Sequence, residues 1–167
     1  MPHEKNTIHL IGHIVYVVLY CLLVILSIPF YNSANLVAIL YMGWIILVFG
    51  VIILLSASQS RKKSSVLKNE INKEALIESG IYAFVRHPEF LGHILIIFSL
   101  ILITQHIINL VIGIALIFLL YFAMIEEEKR NIKKFGKAYE DYMRRTPRIN
   151  LLVGIIRRVY AKKEKKI

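Results

Sequence analysis

The chain reads as an all-α integral membrane protein: four transmembrane helices, the last two a tight hairpin, followed by a cytoplasmic amphipathic C-terminal helix. Three observations predict this class. Hydrophobic residues fill 57% of 167 positions and the mean hydropathy is +0.61, well above a soluble domain. The stretches 10–30 and 36–57 contain no Asp, Glu, Lys or Arg, and each reaches the roughly 20 apolar residues that a bilayer span requires. The formal charge of +10 is confined almost entirely to the segments that flank apolar stretches.

The first stretch, 10–30, is too long for a signal-peptide core. Its flank MPHEKNT is barely basic, and no small-x-small cleavage site follows. Cys21, the single cysteine, falls in mid-helix; it has no intrachain partner and reads as a packing residue. The second stretch, 36–57, carries Gly43 and Gly50, which permit close helix packing. The stretches 90–104 and 107–125 are separated only by Gln105 and His106, hence the hairpin. Between the second and third spans lies a link, 58–79, whose second half LKNEINKEALIESG has helical or turn character and stops at Gly80. In 126–148, Ile132, Phe135, Tyr139 and Tyr142 recur every three to four residues, which predicts an amphipathic helix kinked at Gly136 and ended by Pro147. The tail INLLVGIIRRVYAKKEKKI reads as an interfacial amphipathic segment with a solvated basic end. No internal repeat is present. The organisation expected is one membrane domain over 1–167: two spans in 10–57, a catalytic and cofactor-binding region in 58–148 that includes the hairpin 90–125, and an interfacial basic tail in 149–167.

Charge sets the topology. The links 31–35 and 105–106 carry no Lys or Arg, whereas 58–88 carries Arg61, Lys62, Lys63, Lys68, Lys73 and Arg86, and most of the rest follow Glu126. The positive-inside rule places these segments, and with four crossings both termini, in the cytoplasm. The Lys- and Ile-rich composition fits a prokaryotic plasma membrane. Basic residues that flank membrane helices without aromatic interleaving point to anionic lipid headgroups and away from nucleic acid.

Two polar sites stand out. The first is GIYAFVRHPEFLG, residues 80–92. Pro88 suits the first turn of the helix that follows, because its missing N–H has no intrahelical partner to lose. His87 then sits at the N-cap beside Arg86, where the helix dipole and free N–H groups favour a small anionic group; the alternative is a basic flank anchored at the headgroups. The second site is Glu126, Glu127 and Glu128 at the C-terminal end of the fourth span, where the dipole disfavours negative charge. A cation must neutralise part of this run: either Arg86 or a lysine does so, or one carboxylate holds a cationic ligand group. His87 and Glu127 share one side of the membrane, so a ligand with an anionic and a cationic end suits the pair. Of the other histidines, His9 and His13 lie one helical turn apart with no third metal ligand evident, so no metal site is expected. His93 lies one turn into the third span, and His106 is a solvated residue of the outer turn.

GIYAFVRHPEFLG, an apolar hairpin, then a Glu pair followed by FGKAYEDYMRRTPR resembles the isoprenylcysteine carboxyl methyltransferase and phospholipid methyltransferase superfamily of integral membrane enzymes. The match runs over 76–148, a little under half the chain. The resemblance implies S-adenosylmethionine as cofactor, held by Glu74, Ala75, Leu76 and Ile77, by Tyr82, by the turn His87–Pro88–Glu89–Phe90, and by Glu127 with Glu128. It implies a lipophilic acceptor of the isoprenylcysteine carboxylate type, with phospholipid amine N-methylation as an alternative. Glu127 would hold the cofactor ammonium, and Arg86 and Arg148 would face an acidic acceptor. The chain departs from the prenylcysteine enzymes at Ala123, where they have Arg, at Phe90, usually Tyr, and at Glu89, usually small or neutral; these differences bear on the acceptor. The catalytic halves of sterol reductases, which use NADPH, resemble the same region and supply the competing function.

Overall fold

A computed structural model describes residues 2–71 and 76–164 and, within them, the side chains of 10–64 and 76–160. Among the described residues the chain is helical without strands: α1 (Pro2–Leu26), α2 (Val37–Ile71), a 3-10 turn (Gly80–Ala83), α3 (Pro88–Thr104), α4 (Ile107–Phe135), α5 (Lys137–Arg145) and α6 (Leu151–Glu164). It divides into two compact units, Met1–Phe49 with Ile94–Ala123 and Gly50–His93 with Met124–Ile167.

The first unit is apolar on both its inner and outer sides. Leu23, Ile97, Ile103, Leu116 and Leu120 are buried in it, while Val18, Ile28, Tyr41, Ile45, Val111 and Phe118 are exposed. Gly43 is spent on packing inside the chain, since a Cβ there would meet Ile103 Cγ1 at 2.8 Å. The link between α1 and α2 is tied to the α3–α4 turn. Asn32 and Ser33 donate their backbone N–H groups to the carbonyls of Ile103 and Thr104 at 2.9 and 3.0 Å. The Gln105 side chain closes both backbone groups of Leu36, accepting from N at 3.0 Å and donating to O at 2.9 Å. His106 is stacked on Phe30, with ring centroids 3.7 Å apart, where the sequence predicts a merely solvated residue. Cys21 is exposed, against the expectation of a packing role.

Among the described residues, two helices, α2 and α4, are long and apolar enough to cross a membrane. Four such spans are expected from the sequence, and the difference lies in length. The apolar part of α1 within the helix is Leu10–Leu26, because α1 stops at Leu26 and gives way to turns over 27–34; Pro29 removes a helical donor and crowds the preceding turn. α3 has 17 residues, about 25 Å against a hydrocarbon core of roughly 30 Å.

The second unit carries the polar chemistry, and two sequence expectations change there. The segment after residue 57 is helix, because α2 runs unbroken to Ile71. No Gly or Pro interrupts 51–79, so backbone propensity carries the helix past the end of its apolar face. Likewise α4 continues to Phe135, and the amphipathic segment begins as its extension. The break expected at Gly136 is present: its φ of 54° lies in the left-handed region that glycine tolerates, and α5 starts after it. Tyr139 and Tyr142 are the buried face of α5.

Candidate functional site

The site is built where the loop 84–87, the polar end of α4 and the α5–α6 connection meet in the second unit. The loop is fixed by its backbone. Arg86 N donates to Pro147 O at 3.0 Å, and His87 N donates to Arg148 O at 3.1 Å. Tyr142 Oη donates to Tyr82 O at 2.6 Å, holding the 3-10 turn against α5. Pro88 is the first residue of α3, as the sequence predicts, and Leu91 N donates to His87 O at 3.1 Å. Glu89 supplies negative charge in the first turn of α3, where the dipole favours it. It pairs with Arg61 Nε at 2.8 Å, and the same Nε lies 3.1 Å from Tyr82 Oη. Arg61 reaches this point because α2 extends beyond its apolar part.

The three adjacent carboxylates have separate environments. Glu126 is exposed and 3.9 Å from Arg130. Glu128 is buried in a clamp of two guanidinium groups and an imidazole: Arg86 Nη2 lies 3.1 Å from Oε1, His87 Nε2 3.2 Å from Oε1, and Arg148 donates from Nε to Oε1 at 3.1 Å and from Nη2 to Oε2 at 2.6 Å. Burial opposes its charge, but the Arg148 hydrogen bonds and the surrounding cations win and hold its carboxyl below the ordinary range. Glu127 points elsewhere. His87 Nδ1 lies 3.7 Å from its Oε1. Burial pushes its carboxyl up, opposed from farther away by Arg61 and Arg130 and reinforced by Glu89 and Glu128.

His87 separates the two roles. Burial, with Arg86 and Arg148, pushes its imidazole down to about 4 against the opposing pull of Glu128, so the ring is neutral near pH 7. Its one N–H is assigned to Nε2 from the Glu128 partner. Nδ1 then faces Glu127 with a lone pair, and the positive charges that act on Glu127 are those of Arg61 and Arg130; its other side is open.

That other side is a cavity of about 200 Å³. Glu127, Arg86, Arg61 and Lys134 give it charge, with Asn131 beside them; Tyr82, Phe135, Tyr139 and Tyr142 give it aromatic surface, and Leu76 and Ile77 an aliphatic edge. The Arg86 side chain is only 8% exposed, and its Nε and Nη1 are buried without a hydrogen-bond partner. Leaving such donors unmade costs on the order of 1–3 kcal/mol each, so an ordered water or a ligand is expected to meet them.

Of the residues singled out by sequence, Leu76, Ile77, Tyr82, Arg86 and Glu127 come together on the cavity wall. Glu74 and Ala75 lie outside the described residues. His87, Pro88 and Glu128 are buried behind the wall, and Phe90 packs edge-on to His87 with centroids 5.5 Å apart. Arg148, a candidate for an acidic acceptor, is engaged by Glu128. Arg61, Asn131 and Lys134 were not singled out by sequence. The period of Phe135, Tyr139 and Tyr142 marks a buried face without saying that the face borders a cavity.

No curated protein and no solved structure matches the chain. The family model described as "Protein of unknown function (DUF1295)" matches residues 2–146, and the chain belongs to that family.

Proposed function

We propose that this protein is an S-adenosylmethionine-dependent methyltransferase acting on a lipophilic acceptor at the cytoplasmic face of a prokaryotic plasma membrane, with four crossings and both termini in the cytoplasm. The observation that carries this reading is the pairing on one cavity wall of Glu127 with Arg86, whose Nε and Nη1 are buried and unpartnered. An ammonium suits the first and a carboxylate the second, and S-adenosylmethionine ends in an α-amino acid that has both. Tyr82, Phe135 and Tyr139 offer faces for a purine. On the topology, α3 with its 17 residues is shorter than the hydrocarbon core, and a crossing there draws on local thinning of the bilayer.

The cofactor supplies, when bound, a methyl group already activated on a sulfonium. The residues therefore act by positioning and by excluding water. Glu127 holds the ammonium, Arg86 orients the carboxylate, and the clamp on Glu128 keeps the Arg86 guanidinium from turning away. A carboxylate acceptor of the isoprenylcysteine type needs no base, whereas a phospholipid amine must first lose a proton.

A second reading, NADPH-dependent reduction of a sterol-type lipid, is favoured by one observation: Arg61, Arg86 and Lys134 outnumber Glu127 on the cavity wall, as a phosphate-bearing dinucleotide would require. Calorimetric titration of the detergent-purified chain with S-adenosylmethionine and, separately, with NADPH decides between them. Binding of the first alone supports methyl transfer, binding of the second alone moves the protein to the reductases, and binding of neither by folded protein removes both.

A further inference from the structure

The helix α6 turns its apolar side away from the protein. Asn150 starts it, Oδ1 accepting from Val153 N at 3.1 Å. The side that meets the fold is small and cationic. Gly154 is buried against the Phe84 backbone carbonyl, with no room for a Cβ. Arg157 Nη1 donates to Arg144 O at 3.3 Å, and the Arg158 guanidinium lies over the Phe84 ring, 5.3 Å from its centroid. At 3.6 residues per turn, Leu152, Ile155, Ile156, Val159 and Tyr160 fall together on the other side. All five are exposed, Leu152 to 73%. A contiguous apolar face of this kind requires cover.

Position and charge both name the cover. The apolar run of α4 ends at Ile125. Glu128, three residues on, grips Arg148, and α6 begins three residues after Arg148. The start of α6 is thus tethered where α4 passes from apolar to charged, the level at which a spanning helix leaves the hydrocarbon. Residues 157–166 contain six Lys and Arg against one Glu, complementary to an anionic leaflet.

We propose that α6 lies in the plane of the membrane surface, with Leu152, Ile155, Ile156, Val159 and Tyr160 at the headgroup–acyl boundary of an anionic leaflet. Because Gly154 and Arg158 pack on Phe84, two residues from Arg86, this docking holds the loop 84–87 and its cavity at the same depth. The proposal is independent of which cofactor the cavity takes.

The test places Trp at this face in the full chain. Trp44→Phe with Ile156→Trp is reconstituted into vesicles of phosphatidylcholine with and without phosphatidylglycerol, each containing lipids brominated near the headgroup. A Lys133→Trp variant in the same background reports the exposed polar end of α4. Strong quenching of Trp at 156 and weak quenching at 133 is the expected result. Emission at 156 quenched by aqueous acrylamide and untouched by brominated lipid overturns the proposal; so does protection from both quenchers, which means that a second copy or another protein covers the face. Hydrogen exchange of the 151–160 amides in the unsubstituted chain is the second readout. Exchange on the order of tenfold slower in phosphatidylglycerol vesicles than in pure phosphatidylcholine is expected, and equal rates contradict the anionic-leaflet assignment.

Discussion

Arg148 donates from Nη2 to Glu128 Oε2 at 2.6 Å, and this bond decides which of two neighbouring carboxylates is left to meet a ligand. With Arg86, His87 and Arg148 all turned to Glu128, Glu127 is left between the His87 imidazole and the cavity, with Arg61 and Arg130 farther away. Successive helical residues point about 100° apart, so one α4 turn supplies both a structural anchor and a candidate binding group.

The first prediction separates these roles. Glu128→Gln removes the counter-charge of the buried Arg86 and should cost about 3–5 kcal/mol of stability, the usual penalty for breaking a buried pair. Glu127→Gln should leave the unfolding midpoint unchanged or raise it, because burial already opposes its charge. Thermal unfolding of both variants in one detergent checks the contrast; equal losses would mean that both carboxylates are structural.

The pH dependence follows from His87. Its folded pKa, about 4, lies below the unfolded value near 6.5. Between these values the unfolded chain binds the proton and the folded chain does not, so stability falls as pH drops from 6.5 toward 4 and this contribution is flat outside that window. Glu128, whose carboxyl is also held low, loses stability in the same direction. The difference between the unsubstituted chain and His87→Gln isolates the histidine: the substituted protein should show a shallower decline in unfolding midpoint over pH 6.5 to 4. An identical decline would refute a neutral buried His87.

Much of this arrangement is readable in the sequence, for identifiable reasons. The hairpin is legible because Gln105 and His106 are the only residues separating two apolar runs. Pro88 marks the start of α3 through its own backbone chemistry, and Gly136 marks a break that positive φ requires. The joint presence of Tyr82 and Glu127 at one site is what the family resemblance implies, and both border the cavity with Arg86. The Arg61 contact is not legible, because the apolar run of α2 ends before its helix does, and helices end where capping or Gly and Pro end them. Nor could sequence assign Arg86, His87 and Arg148 to Glu128 in preference to Glu127, since that choice depends on side-chain direction around one turn of α4. Gly43 was legible as a packing residue, but its partner, Ile103 in the same chain, was not.

Glycine substitutions test the α6 packing. Gly154→Ala forces a methyl group against the Phe84 carbonyl and should cost about 1–3 kcal/mol, as overpacking does. Gly12→Ala meets nothing within 4 Å and should be neutral or stabilise α1 by about 0.5–1 kcal/mol. Unfolding midpoints of the two variants in one detergent measure the difference, and a tolerated Gly154→Ala would mean that α6 does not pack on the loop.

Tyr142→Phe removes the 2.6 Å bond to the Tyr82 carbonyl and leaves a buried acceptor unmade, a loss of about 1–3 kcal/mol. Ligand affinity should fall with it, because Tyr82 and Tyr142 both border the cavity. Unfolding and titration of the same preparation check both effects; a drop in stability with full affinity would place Tyr142 outside the binding function.

The most direct test of the central claim compares two ligands on two proteins. S-adenosylmethionine and 5′-methylthioadenosine, which lacks the amino-acid end, are titrated into the full chain and into Glu127→Gln. The account predicts that Glu127→Gln weakens S-adenosylmethionine by about 10- to 150-fold, the worth of one charge-assisted hydrogen bond, and leaves 5′-methylthioadenosine unchanged. Equal affinities of S-adenosylmethionine for both proteins would contradict the assignment of Glu127 as the ammonium site.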